Sequence, residues 1–224
     1  MHLYYCLKRN KRDSEALFRH VLGDYLETGT LGIPKQEAFD TIIRRSEFGK
    51  PYLPLLPHIK YSVSHSGDCW GCLFSSGDVG LDIEDITNEP SFESDGCIGQ
   101  GLVKSRDMLN HHRDYAKTEK QDRQGRLVRI AERFFSVDEI DFVHSSPNYK
   151  TLITRFYLIW TRKEAYIKYT GRGIGAGLSS FSVMSDIMGE AVFESIDLSE
   201  GLITACCYNK TLSSYSAIKL LPLG

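Results

Sequence analysis

Residues 59–86, IKYSVSHSGDCWGCLFSSGDVGLDIEDI, decide the fold class. Two turn tripeptides of one type, Ser66-Gly67-Asp68 and Ser76-Gly77-Asp78, divide the stretch into three short runs. Ser, Gly and Asp in succession mark a turn, and alternation at period two marks a strand. The stretch therefore predicts strands over Ile59–Ser64, Cys69–Ser75 and Val79–Ile86, joined as a meander whose side chains point alternately in and out.

Upstream, Met1–Cys6 alternates weakly and reads as another short strand. From Ser14 the period changes, with Leu17, Val21, Leu22 and Tyr25 recurring at three- and four-residue steps, the mark of a helix. Gly29 and Gly32-Ile-Pro34 stop it, Pro34 can start another helix ending near Arg45, and Phe48-Gly49-Lys50-Pro51 is a turn. Downstream, residues 87–127 break the pattern. Acidic residues (Glu89, Glu93, Asp95, Asp107, Asp114, Glu119, Asp122) and basic ones (Lys104, Arg106, Arg113, Lys117, Lys120, Arg123, Arg126) balance, and aromatics are few. This reads as an exposed charged insertion, with a helix near 102–120, joining an N-terminal lobe (1–86) to a C-terminal lobe (128–224). In the second lobe Ser136-Val-Asp-Glu139 is a capping box. Leu152–Tyr169 is the most apolar helix, ended by Gly171-Arg-Gly173. Phe181–Met184, Ala191–Ile196, Leu202–Tyr208 and Tyr215–Leu221 read as closing strands. Helix followed by sheet in each lobe predicts an α+β fold.

Composition narrows the function classes. The chain has 224 residues, 42% hydrophobic and 25% charged, with a formal net charge of −2. Near-neutral charge gives no global reason to bind nucleic acid. No apolar run approaches the ~18–20 residues of a membrane helix, and the charges of MHLYYCLKRNKR follow its apolar stretch, the reverse of a secretory signal. A cytoplasmic protein is expected. Six cysteines (Cys6, Cys69, Cys72, Cys97, Cys206, Cys207) then read as reduced thiols. Cys69-Trp-Gly-Cys72 has the spacing of half a zinc knuckle, but no second pair completes it, so these are read as small strand residues.

Three groups could carry chemistry. Asp82-Ile83-Glu84 puts two carboxylates on one face of a strand, where they repel unless a cation lies between them. A hard, oxygen-preferring ion such as Mg²⁺ suits them; the alternative is a solvated strand edge beside Asp85. Glu164 and Lys168 share a face of the apolar helix, with Trp160 one turn earlier. The alternative is a surface ion pair, but the apolar surroundings argue for a buried carboxylate needing a cation. Ser62-Val-Ser-His-Ser66 ends a strand in hydroxyls and an imidazole. Adjacent Ser64 and His65 face opposite sides, which opposes a nucleophile–base pair and leaves a grip on phosphate, or a structural histidine. Gly171-Arg-Gly173-Ile-Gly175-Ala-Gly177 follows a helix rather than a strand, so it is not a dinucleotide loop.

Together the segments Phe48-Gly-Lys-Pro51, Ser62-Val-Ser-His-Ser66, Val79-Gly-Leu-Asp-Ile-Glu84, Arg133-Phe-Phe-Ser-Val-Asp-Glu139 and Trp160-Thr-Arg-Lys-Glu-Ala165, with Lys168, Gly171 and Gly173, resemble the Sfp-type 4′-phosphopantetheinyl transferases in kind and order. The resemblance implies two similar α+β lobes related by a pseudo-twofold axis, each a small antiparallel sheet packed with a long helix, with coenzyme A and Mg²⁺ in the cleft between them. It implies a holo-[acyl-carrier-protein] synthase activity: transfer of the phosphopantetheine arm from coenzyme A to a serine of an apo acyl or peptidyl carrier protein, releasing adenosine 3′,5′-bisphosphate. By the same resemblance Asp82, Glu84 and Glu164 are the metal ligands. Lys168 is a phosphate contact and candidate acid, and Lys50, Pro51, Ser64 and His65 line the nucleotide end. The N-terminal basic residues do not match the family one to one, and of Lys8, Lys11, Arg12 and Arg19 the best placed phosphate contact is Arg19. The serine proton goes to Glu164 or to a metal-held water. A monomer is implied, the acceptor pathway is open, and a Mg²⁺-dependent nucleotide phosphohydrolase or a non-catalytic carrier-binding module are the rival readings.

Overall fold

The computed structural model describes residues 1–8, 12–28, 40–87, 89, 122–173, 177–213 and 219–223. Two four-stranded sheets lie back to back with their helices outside. The first contains β1 (His2–Cys6), β4 (Lys60–Ser66), β5 (Cys69–Ser75) and β10 (Lys219–Pro222) in the order β10-β1-β5-β4. The second contains β6 (Val79–Asp85), β7 (Ile187–Met188), β8 (Ala191–Ser195) and β9 (Leu202–Asn209) in the order β6-β9-β8-β7. A two-stranded ribbon, β2 (Arg44–Arg45) with β3 (Pro51–Tyr52), stands apart. All pairings are antiparallel except the edge, where β10 runs parallel to β1.

Helix α1 (Ser14–Thr28) covers the first sheet. Residues 122–134 form α2, and α3 (Val137–His144) and α4 (Tyr149–Thr170) follow. The succession β1-α1-β4-β5 is repeated as β6-α4-β8-β9, which makes the lobes two copies of one α+β design.

Alternation distributes the side chains. On β5, Trp70, Cys72 and Phe74 pack on α1 through Phe18, Val21 and Leu22, while Cys69 and Leu73 face the other sheet. Being buried on both faces, β5 reads as a continuous apolar run. Leu81 and Ile83 of β6 and Cys206 and Tyr208 of β9 join Leu3, Cys69 and Leu73 between the sheets. Ala205 and Cys207 turn outward to meet Phe156 and Ile159 of α4. The five described cysteines are free and buried; Cys97 lies outside the described residues.

Two strand readings change. Residues 59–86 are not a meander: β4 pairs with β5, but β6 leaves that hairpin and pairs with β9. The side chains of Leu81 and Ile83 lie over Gly71, so β6 packs across β5 instead of beside it. Phe181–Met184 is not a strand either. There the Phe181 carbonyl accepts from Lys163 and the Val183 N–H donates to Glu139, so polar groups that a ladder would use are engaged by side chains. Of the helix expected from Pro34 to near Arg45, residues 34–39 lie outside the described residues, but 41–43 are irregular and Arg44–Arg45 form β2. The helix expected near 102–120 lies outside the described residues. Among the described residues, no helix is long and apolar enough to cross a membrane.

Candidate active site

Helix α4 is the element that builds the site. Asn148 caps its start by accepting the Thr151 N–H at 2.9 Å, and Gly171, at φ 67°, turns the chain out of its end. Between these ends α4 lies directly on β6. A Cβ at Gly80 would stand 1.8 Å from the Ala165 carbonyl oxygen, so only glycine permits this approach. Leu81 and Ile83 are anchored in the core between the sheets, and pleating turns Asp82 and Glu84 toward α4.

The contact made there is dense. Lys168 Nζ donates to Asp82 Oδ1 at 2.7 Å, the Leu81 carbonyl at 3.0 Å and Ser64 Oγ at 3.2 Å. Three bonds use the whole donor capacity of an ammonium. Ser64 Oγ in turn donates to Asp82 Oδ1 at 2.9 Å, and Ser66 Oγ to Glu84 Oε2 at 3.1 Å. Trp160 stands near Glu84 and counters part of the rise in its proton affinity. Trp160 is itself fixed by stacking on Phe156 and by edge contact with Phe134.

Burial raises the proton affinity of Asp82, a rise that Lys168 and Ser64 oppose. Glu84 and Glu164 are likewise raised, first by burial and then by the charge of Asp82. The three carboxylates therefore feel one another in a poorly solvated place, and one lysine balances them incompletely. Among the described residues no three histidine, cysteine or carboxylate side chains gather as a group that could hold a metal ion, Asp82, Glu84 and Glu164 included. The donor set nevertheless fits a hard cation on one observation: Asp82 Oδ2 is buried and has no hydrogen-bond partner among the described residues. A buried anionic oxygen without a donor is costly unless something positive fills the gap.

Lys168 also forms part of the wall of a cavity of about 960 Å³, shared with Arg19, Arg45, Lys50, Pro51 and His65. These side chains come from α1, the β2–β3 ribbon, β4 and α4. The wall carries Arg19, Arg45, Lys50 and Lys168 against Asp13, Glu15 and Asp40, a modest excess of positive charge that suits an anion. Arg19 is held by Glu15 at 2.7 Å and by the Thr41 carbonyl at 3.2 Å. Lys50 Nζ donates to the Tyr169 carbonyl at 2.7 Å, closing the end of α4, and meets Asp78 at 3.3 Å. Burial lowers its proton affinity. Ser64 is buried and turned to Asp82 and Lys168; it is not one of the cavity's walls, whereas His65 is exposed along them. The sequence reading missed Arg45, which it assigned to a helix end. Its register opposite Pro51 in the ribbon carries it to the cavity. It also missed the bond of Ser66 to Glu84.

Comparison with known proteins bears on this arrangement. The model of the 4′-phosphopantetheinyl transferase superfamily matches residues 112–210. The chain is similar to the 4′-phosphopantetheinyl transferase Sfp of Bacillus subtilis (strain 168), 30% identical over 199 residues that cover 88% of this chain and 69% of the relative. It is also 30% identical over 175 residues to a 4′-phosphopantetheinyl transferase of Bacillus subtilis, covering 78% of this chain and 58% of that protein. To the 4′-phosphopantetheinyl transferase psf-1 of Bacillus pumilus it is 30% identical over 177 residues, covering 79% and 56%. For the last two, the match spans less than two thirds of the relative's length.

Proposed function

The chain belongs to the 4′-phosphopantetheinyl transferase superfamily, and from that premise we propose that it is an Sfp-type, Mg²⁺-dependent transferase. It moves the phosphopantetheine arm of coenzyme A to a serine of an apo acyl or peptidyl carrier protein and releases adenosine 3′,5′-bisphosphate. The observation that carries this reading is Asp82 Oδ2, buried without a hydrogen-bond partner among the described residues, beside a lysine on the wall of a cavity that also holds Arg19, Arg45 and Lys50.

In this reading Asp82, Glu84 and Glu164 hold the Mg²⁺, which when bound opposes the charge gathering on the pyrophosphate oxygens. Arg19, Arg45, Lys50 and His65 grip the nucleotide end of coenzyme A, and the fixed walls orient its β-phosphorus for in-line attack. A bond forms from the carrier serine oxygen to that phosphorus. The bond to the bridging oxygen breaks, leaving its electron pair on the adenosine bisphosphate. Lys168 faces the charge that develops on that oxygen. Glu164, whose proton affinity is raised by burial and by Asp82, takes the serine proton. The protein acts as a monomer, and in the cytoplasm, a location supported by the free, buried thiols of the five cysteines among the described residues.

The test is the mass of an apo carrier protein after incubation with this protein, coenzyme A and Mg²⁺, beside an EDTA control. A gain of one phosphopantetheine arm, abolished by EDTA, is the expected result. Coenzyme A cleaved without an acceptor would establish a hydrolase instead. Coenzyme A left intact across several acyl and peptidyl carriers would establish a binding module.

A further inference from the structure

Three serines at alternate positions of β4 face the free edge of β6. The N–H groups of Leu81, Ile83 and Asp85 donate to the hydroxyls of Ser62, Ser64 and Ser66 at 3.0, 3.2 and 3.0 Å. Hydroxyls thus stand where a neighbouring strand would ordinarily supply carbonyls. The substitution has a chemical consequence, because a hydroxyl that accepts an N–H still has a proton to donate. Ser64 donates that proton to Asp82 Oδ1 and Ser66 donates it to Glu84 Oε2. Among the described residues, Ser62 makes the backbone contact with no carboxylate attached to it.

The spacing explains the coincidence. Successive serines on one face of β4 stand two residues apart, as do Asp82 and Glu84 on one face of β6. A register that satisfies the β6 backbone therefore also brings a hydroxyl to each carboxylate. The β6 N–H fixes each hydroxyl oxygen, and that oxygen fixes one carboxylate oxygen.

We propose that Ser64 and Ser66 are positioning residues for the cation site. They clamp Asp82 and Glu84 by one oxygen each, so that the remaining oxygen of Asp82 is presented to the divalent ion. This rests on the reading that Asp82, Glu84 and Glu164 bind that ion. It adds a role the sequence did not assign to Ser66 and gives Ser64 a task apart from nucleotide contact. Ser62 ties the two sheets together and does nothing for the cation.

The experiment titrates the full-length protein with Mn²⁺ in the presence of coenzyme A, reading free Mn²⁺ by electron paramagnetic resonance against a coenzyme A blank. No carrier is added, so turnover does not enter. Ser64→Ala and Ser66→Ala are expected to weaken Mn²⁺ binding about 10–100-fold, the usual consequence of removing a group that orients a metal ligand. Ser66→Thr, which keeps the hydroxyl, retains the affinity. Ser62→Ala retains it too, although its thermal unfolding temperature falls as far as that of the other alanine variants. Wild-type binding that survives unchanged in Ser64→Ala and Ser66→Ala overturns the proposal. So does an equal loss in Ser62→Ala, which would make the ladder a seam between sheets and no more. A wild-type protein that binds no Mn²⁺ overturns the cation site itself, and the proposal falls with it.

Discussion

Lys163 and Lys168 stand little more than one turn apart on α4, and each meets a carboxylate at 2.7 Å. The two ion pairs differ in how completely they are satisfied. Lys163 and Glu139 are both 0% exposed. Glu139 Oε2 also accepts the Ser136 N–H at 2.8 Å, and Oε1 accepts the Val183 N–H at 2.7 Å. Lys163 donates further to the carbonyls of Leu178 and Phe181 and lies over the Phe181 ring. Nothing in that pair is left to offer a ligand. At Lys168–Asp82 the lysine is 30% exposed and fully bonded, yet one oxygen of the carboxylate is buried and unpartnered among the described residues. A buried pair with every atom matched fixes structure. A buried pair left one partner short is destabilised until something binds. The difference supports the proposal that the site lies at the Lys168 end of α4.

The largest effect should come from breaking the closed pair. Glu139→Ala leaves the Lys163 ammonium buried without its anion and releases Val183, so denaturant unfolding should register a loss of about 3–5 kcal/mol. A loss within experimental error would mean that the closed pair fixes nothing. Asp82→Asn tests the open pair and should behave oppositely. Carrier modification should fall about 10²–10³-fold, equivalent to about 2.7–4 kcal/mol of transition-state stabilisation. Its unfolding midpoint should not fall below the wild type. Asparagine keeps an oxygen for Ser64 and Lys168 and removes a buried charge whose proton affinity burial has raised. If Asp82→Asn unfolds as readily as Glu139→Ala, the two pairs are not different in kind.

The sequence made the open pair easier to see than the closed one. Strand alternation alone puts Asp82 and Glu84 on one face, and helical spacing alone aligns Glu164 with Lys168. Both rules are local. The capping box Ser136–Glu139 was legible for the same reason, but its second task was not, because Lys163 reaches Glu139 only when α4 doubles back over α3. The strand expected at Phe181–Met184 failed on that hidden contact, which engages groups a ladder would have used. The meander failed similarly. Two identical turn tripeptides described the chain direction locally, while the choice of partner for β6 was set by β9, more than a hundred residues away. The helices from Ser14 and over Leu152–Tyr169 and the two-lobe α+β design survive such errors because they depend on period. Strand partners do not, because they depend on which distant edge is free.

Gly80→Ala addresses the geometry that joins the open pair. A methyl group 1.8 Å from the Ala165 carbonyl oxygen must push α4 away from β6. Overpacking of this kind costs about 1–3 kcal/mol. Since the same movement draws Lys168 from Asp82, activity and stability should decline together, unlike in either variant above. Normal carrier modification by a destabilised Gly80→Ala protein would separate the close approach from the site.

The smallest effect is expected at a third pair on the same helix. Arg162 meets Asp186 at 2.7 Å, the distance found in both other pairs, but Asp186 is 74% exposed. An exposed pair gains little in water and is screened by salt, so Asp186→Ala should change unfolding by no more than about 0–1 kcal/mol. Arg162 would keep its bond to the Val183 carbonyl at 3.1 Å. Three pairs of equal length on one helix should thus range from several kcal/mol to almost nothing, ordered by burial and by how many partners each charge has besides the other. Equal losses in Asp186→Ala and Glu139→Ala would show that the bond length was the relevant variable after all, and the distinction between a closed pair and an open one would lose its basis.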